Sequence, residues 1–238
     1  LYQNDGLGLF TDKAVDSGIS AASAKSLTLS TIFFDYDLYG WPDIFAANGH
    51  VADDVSVVQP TIHYAEPPLL FRNKEKGRFE DVSTKVGPAM RQAMVGRGAA
   101  YLDFDNDGDL DIVVTTSNSA AKLLRNDNGN QNDMLRIKTI GTRSNRDGIG
   151  AKVIVRTNKA LRLFEMVKTG SSYLSQSELP LTFGLGKPDE GKVVSVSITW
   201  PSGKKESISD IKPNQSITLK EGSGIVSAEP ILFSRPSH

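Results

Sequence analysis

The chain repeats itself, and the repeat limits what it can fold into. Leu1-Tyr2-Gln3-Asn4, Gly8 and Phe10-Thr11-Asp12 recur as Leu70-Phe71-Arg72-Asn73, Gly77 and Phe79-Glu80-Asp81, each pair 69 residues apart. Asp35, Asp37, Gly40 and Asp43 recur 68 residues later as Asp103, Asp105, Gly108 and Asp111. Leu123-Leu124-Arg125-Asn126 opens a third copy that does not complete. The units therefore run over residues 1–50 and 51–118, with a third start at 119–126. Self-similarity at a long fixed period marks an array in which each unit buries its apolar face against the next. Within each unit, Ser30–Phe34 and Gly98–Leu102 lead into an acidic loop, and Ile44–Ala47 and Ile112–Thr116 lead out. Short β-rich runs flanked by Asp, Gly and Asn read as strands. Several strands per unit suggest propeller blades or a similar β-array. His50–Pro68, with Pro60, Pro67 and Pro68, is predicted as an extended connection.

The acidic loop carries the chemistry. Asp103, Asp105, Asp107 and Asp111 place four carboxylates in nine residues around Gly108. Like charges at that density repel unless a cation sits among them. Calcium takes 6–8 oxygen ligands in flexible geometry, which suits alternate aspartates on a tight turn. The spacing predicts side-chain ligands at Asp103, Asp105, Asp107 and Asp111 and a backbone carbonyl from Asp109. An EF-hand loop starts in the same way but closes on a glutamate at its twelfth position, between helices. Here the twelfth residue from Asp103 is Val114, inside a β-branched run, so the loop closes early and joins strands. A solvated acidic turn is the alternative, since turns favour Asp, Asn and Gly without metal, but it does not require the alternation. The first loop keeps Asp35, Asp37 and Asp43 and has Tyr39 where the second has Asp107. One carboxylate fewer predicts a weaker calcium site, with Tyr39 and Trp41 contributing only backbone carbonyls.

These elements resemble the FG-GAP family of repeats, also met as VCBS-type repeats, of the integrin-α propeller kind. The resemblance covers residues 1–126 and rests on the Asn-x-Gly-x-Phe elements, Gly96-Arg97-Gly98-Ala99-Ala100 and the Asp-x-Asp-x-Asp-Gly-x-x-Asp loop. It implies calcium sites in a propeller. Two units cannot close a ring of about 4–8 blades. Either upstream blades lie outside this chain, or the units form an open array with an exposed edge. The chain opens within a motif, so it is expected to be the C-terminal part of something longer, with any export signal elsewhere.

Asp127–Asn132 reads as a linker, and a second strand-rich region follows. Met134–Ile140 and Ala151–Val155 alternate in part, and Val194, Val196, Ile198 and Trp200 define one face of a half-buried strand. Leu161–Thr169, Lys204–Ile208 and Ile217–Leu219 bring the total to about seven strands, which suits a β-sandwich or small barrel. This half, at 127–224 with a tail at 225–238, resembles the ASPIC/UnbV family. The matching blocks are Ser144–Ala151, Gly170–Ser177, Phe183-Gly184-Leu185-Gly186 and Trp200-Pro201-Ser202-Gly203. The expected class is all-β: FG-GAP repeats forming part of a β-propeller, then a β-sandwich-like domain. The hydroxyl-rich block Gly170–Ser177 and the Asn145-Arg146-Asp147-Gly148 stretch could contact a glycan or an anion, but both read first as turns.

Composition excludes more than it assigns. The absence of cysteine among 238 residues rules out disulfides, and no apolar run is long enough to span a membrane. Residues 1–132 carry 11 basic and 18 acidic side chains and residues 133–238 carry 16 and 10. The basic half reads first as ordinary surface charge, with an anionic partner or the acidic half itself as the alternative, and its aromatics do not interleave in a nucleic-acid-binding pattern. His50, His63 and His238 are the only histidines and lie in no catalytic motif, so the chain is expected not to be an enzyme. The resemblances imply a secreted, cell-surface or periplasmic calcium-binding module that binds or adheres to protein or carbohydrate. The alternative is a non-catalytic scaffold or accessory subunit of a larger secreted or biosynthetic assembly.

Overall fold

In both repeat units a strand runs into the acidic loop and the next strand runs straight back out. The computed structural model describes residues 1–158, 161–188 and 192–231. In the first half these are β1 (Tyr2–Asn4), β2 (Phe10–Asp12), β3 (Thr28–Phe34), β4 (Asp43–Asn48), β5 (Leu69–Asn73), β6 (Phe79–Asp81), β7 (Gly96–Leu102), β8 (Asp111–Thr116) and β9 (Lys122–Leu124). Two short helices, α1 (Ser20–Ser23) and α2 (Val55–Val58), lie in the connections. The second replaces part of the extended connection expected over His50–Pro68.

The strands form antiparallel meanders, β3-β4-β5-β6 and β7-β8-β9, arranged like propeller blades. The blades are out of phase with the sequence repeat. Each takes its two inner strands from one unit and its outer strands from the next, so β5 and β6 of the second unit complete the first blade. In the same way the opening of the third unit supplies β9, which pairs Leu124 with Ile112. Their counterparts in the first unit, β1 and β2, pair only with each other among the described residues and stay exposed.

One apolar core joins the two blades: Ile32, Phe34, Phe45, Ala47 and Leu70 meet Ala99, Ile112 and Val114. Full burial of a side chain such as Phe45 contributes about 1.5–3 kcal/mol. The alanines at 46, 47 and 99, weak strand formers by sequence, are buried where strands approach closely. A Cβ on Gly96 would sit 2.7 Å from the Asn48 carbonyl oxygen, so the crossing requires glycine there.

The second half contains β10 (Asp133–Ile140), β11 (Lys152–Thr157), β12 (Arg162–Met166), β13 (Leu181–Gly186), β14 (Val193–Thr199), β15 (Lys205–Ile208), β16 (Gln215–Lys220) and β17 (Gly224–Pro230). Two four-stranded sheets, β13-β10-β16-β17 and β12-β11-β14-β15, share one core. Leu135, Ile137, Phe183, Ile217 and Leu219 of one sheet pack on Val153, Val155, Val196 and Ile198 of the other, which makes a sandwich. Trp200 anchors the end of β14 and donates its Nε1–H to Glu206.

Two sequence expectations change here, and a third is met. Val194 is 54% exposed, because a register shift opposite Arg156 and Thr157 turns Val193 inward instead. The expected tail from 225 begins as β17, whose backbone pairs along β16; residues 232–238 lie outside the described residues. Asn145–Gly148 is a turn, closed by the Gly148 N–H on the Asn145 carbonyl at 3.0 Å. The anion seated beside it is internal. Glu221 accepts the backbone N–H groups of Thr142, Arg143 and Ser144 at 2.9, 2.8 and 2.8 Å. Against the opposing effect of burial, bonds from Ser202 and these amides pull its carboxyl down to about 2.

Candidate metal centre

The two acidic loops are built on one plan. Asp43 accepts the N–H of Tyr36 at 3.1 Å and of Asn73 at 2.7 Å, and Asp111 accepts those of Phe104 and Asn126, both at 2.8 Å. The aspartate that closes each loop thus ties the loop to the asparagine of the following Leu-x-Arg-Asn element. The arginine of that element reaches the loop's second aspartate. Arg72 stands 2.7 Å from Asp37 and Arg125 stands 3.8 Å from Asp105. Sequence pattern alone does not single out either arginine, although both sit at the same place in the repeat.

Carboxylate oxygens of Asp103, Asp105 and Asp107 lie within 4.8 Å of one another, as do those of Asp35, Asp37 and Asp43. Each triad could hold a metal ion. Asp111, expected as a ligand, is not in the second triad, and its two oxygens accept the backbone N–H groups of Phe104 and Asn126, as those of Asp43 accept Tyr36 and Asn73 in the first. Asp109, expected to offer only its carbonyl, also buries its side chain and accepts the Asn130 N–H at 3.3 Å. Tyr39 N–H and Gly40 N–H occupy the two oxygens of Asp35 at 3.0 and 2.7 Å, and Trp41 lines a cleft of about 260 Å³ with Tyr101, Phe164 and Glu165.

The donor set fits a hard cation. The Asp103 side chain is 3% exposed, and its Oδ1 has no hydrogen-bond partner. Asp109 is fully buried, and its Oδ1 has no partner either. Orphaned buried carboxylate oxygens are costly unless charge or hydrogen bonds satisfy them. Burial pushes the Asp103 carboxyl up to about 6, with Arg136 opposing. Burial and the charges of Asp107 and Asp111 push Asp109 up to about 8. In the first loop burial takes Asp43 to about 7, and burial with the Asp43 and Asp37 charges raises Asp35 well above the carboxylate range. Strongly raised carboxyls crowded in one loop are the electrostatic mark of missing positive charge.

Residues 35–114 match the FG-GAP-like repeat and residues 141–226 match the ASPIC and UnbV domain. The chain carries an FG-GAP-like repeat followed by an ASPIC and UnbV domain. It is 39% identical over 121 residues to cartilage acidic protein 1 of Homo sapiens, covering 50% of this chain and 18% of that protein. It is 38% identical over 168 residues to cartilage acidic protein 1 of Xenopus tropicalis, covering 68% and 25%. The chain spans a quarter or less of the length of these relatives.

The ASPIC and UnbV domain seats itself on the acidic loops. Asp127–Asn132, expected to be a linker, is packed between them, with Gly129 and Asn130 buried. Asn130 Nδ2 donates to Asp107 at 2.9 Å and Asn132 Nδ2 to the Asp37 carbonyl at 2.7 Å. The glycine motif of β13 presses on the first loop, where the Gly186 N–H meets the Leu38 carbonyl at 3.1 Å. A Cβ on Gly184 would fall on Asp35 Oδ2 and the Leu38 carbonyl. Gly184→Ala is therefore expected to cost about 1–3 kcal/mol by overpacking, read by chemical denaturation. A neutral result would show that the two surfaces part easily. The hydroxyl block also joins the two domains. Ser172 Oγ meets Ser30 Oγ at 2.7 Å and accepts the Thr31 N–H at 2.9 Å. Ser177 Oγ accepts the Tyr101 N–H at 3.1 Å.

Proposed function

We propose that the chain is a calcium-stabilised extracellular recognition module for protein or carbohydrate, with calcium in a structural role. The observation that carries this reading is Asp103, a buried carboxylate with an unpartnered oxygen inside a triad of aspartates. Oxygen-only donors on a short flexible loop favour calcium over softer metals. Similarity to proteins named for cartilage supports an extracellular setting. Calcium would be held by Asp103, Asp105 and Asp107 in the second loop and by Asp35, Asp37 and Asp43 in the first. The first loop is the weaker site, because Tyr39 stands where the second has Asp107 and Arg72 pairs with Asp37 at 2.7 Å, closer than Arg125 stands to Asp105 at 3.8 Å.

Asp107→Ala should remove most of the calcium-dependent rise in melting temperature at the second loop, whereas Tyr39→Ala should change it little. Equal effects would mean that the loops are ranked wrongly. Recognition falls to surfaces that the ions hold in place, such as the cleft lined by Trp41, Phe164 and Glu165. Aromatic faces beside a carboxylate suit a sugar or a peptide. A second reading, a non-catalytic scaffold within a larger assembly, is favoured by the covering of both loops by the chain's own second domain. A glycan and protein array probed with and without calcium separates the two. Calcium-dependent capture of a defined ligand supports recognition, and calcium-independent silence supports the scaffold.

A further inference from the structure

The second loop and the ASPIC and UnbV domain share their charges. Arg136 of β10 forms a bidentate pair with Glu178, and its Nη1 lies 3.8 Å from Asp103 Oδ2. The three side chains are 12%, 13% and 3% exposed. Glu178 also accepts the Asp103 N–H at 3.4 Å, and its own N–H donates to the Tyr101 carbonyl at 3.1 Å. With the Tyr101 N–H on Ser177 Oγ, residues 177–178 are tied to 101–103 by one backbone bond and two side-chain bonds. One arginine therefore serves two buried carboxylates, and those belong to a cluster that also holds Asp105 and Asp107. Among the described residues Arg125, at 3.8 Å from Asp105, is the other positive group paired with the loop. The cluster is short of positive charge, and Asp103 Oδ1 is buried without a hydrogen-bond partner.

We infer that cation occupancy of the Asp103–Asp107 loop sets how tightly the ASPIC and UnbV domain docks on the FG-GAP-like repeat, with Arg136 and Glu178 as the positioning pair that links the two. The inference rests on reading this loop as a cation site. Without the ion, repulsion among Asp103, Asp105, Asp107 and Glu178 is relieved by moving the Asp103 strand away from Glu178. That movement breaks the Tyr101 and Asp103 hydrogen bonds of the seam. With the ion, Asp103 is held in the loop, Arg136 is left to Glu178, and the seam closes. Coupling of this kind is reciprocal, so weakening the seam must weaken the ion.

Amide hydrogen exchange of the whole chain, with calcium chloride or with EGTA, tests this. Removing calcium should speed exchange at the Tyr101 and Asp103 amides about tenfold or more. The amides of Val196 and Ile217 in the sandwich core should change far less. Ser172→Ala with Ser177→Ala alters the seam without touching a charge. It should lower calcium affinity about threefold or more, while Ser227→Ala in β17, whose side chain bonds only to Glu229 among the described residues, leaves it unchanged. Calcium binding with unchanged exchange at Tyr101 and unchanged affinity in the double variant would overturn the inference and leave the calcium assignment standing. Failure of calcium to bind at all would remove both.

Discussion

Calcium added to the chelated chain is expected to raise its melting temperature by about 5–10 °C for each loop filled. A ligand at a hundredfold excess over its dissociation constant stabilises the folded state by about 2.7 kcal/mol. In a domain of this size each kcal/mol moves the transition by about 2–4 °C. The shift should depend on pH. Asp103, Asp43 and Asp109 have carboxyls raised to about 6, 7 and 8 in the ion-free chain. A raised carboxyl contributes stability that is present below its unfolded value and is lost as pH rises through its folded value. Their contribution to the ion-free chain therefore declines from about pH 4 towards pH 8. Calcium displaces the protons of the ligands Asp103 and Asp43, so the calcium-induced rise should be small at pH 5 and large at pH 8. Differential scanning calorimetry across that range gives the answer. A rise that is flat with pH would mean that the raised carboxyls are not the ligands.

Replacing Arg136 by methionine is the most damaging single change expected outside the hydrophobic cores. The guanidinium is 12% exposed and pairs with Glu178 and Asp103, which are about as closed to water. Removing one partner of a buried pair leaves an uncompensated charge and costs about 3–5 kcal/mol. Arg136 also accounts for the bond to Thr182 Oγ1 at 2.9 Å, which is lost as well. Arg136→Met with Glu178→Met should recover part of that loss, because the stranded carboxylate goes with it. Chemical denaturation of the two variants measures both. A cost below about 1 kcal/mol is the level of an exposed ion pair, and it would mean that water reaches the seam.

Local pattern made much of the architecture readable. The repeat predicts a β-array, and the two loops are equivalent down to the backbone bonds of Asp43 and Asp111. The pairing across copies is not legible in the same way. Strands β5 and β9 join the blade before their own unit, because an outer strand is chosen by the edge it meets and not by its position in the repeat. The same limit applies to the bonds of Asp111. Its spacing in the loop does not reveal that Asn126, 15 residues away, donates its N–H to it. Asn128-Gly129-Asn130 has linker composition, yet its small residues let the backbone lie against Tyr36 and Asp109. Gly170–Ser177 reads as structural and is, but its hydroxyls serve the facing domain as well as their own turn. Arg136 and Glu178 carry no signal in the sequence, 42 residues apart, and gain meaning only when the sandwich docks on the loop.

Two aspartate triads, one on each equivalent loop, are proposed to hold calcium. Titration calorimetry of the chelated chain with calcium chloride tests it directly. Two binding events are predicted, the tighter one abolished by Asp103→Ala and the weaker one by Asp35→Ala. A titration with no binding heat at any temperature, and no calcium retained at equilibrium dialysis, would contradict it.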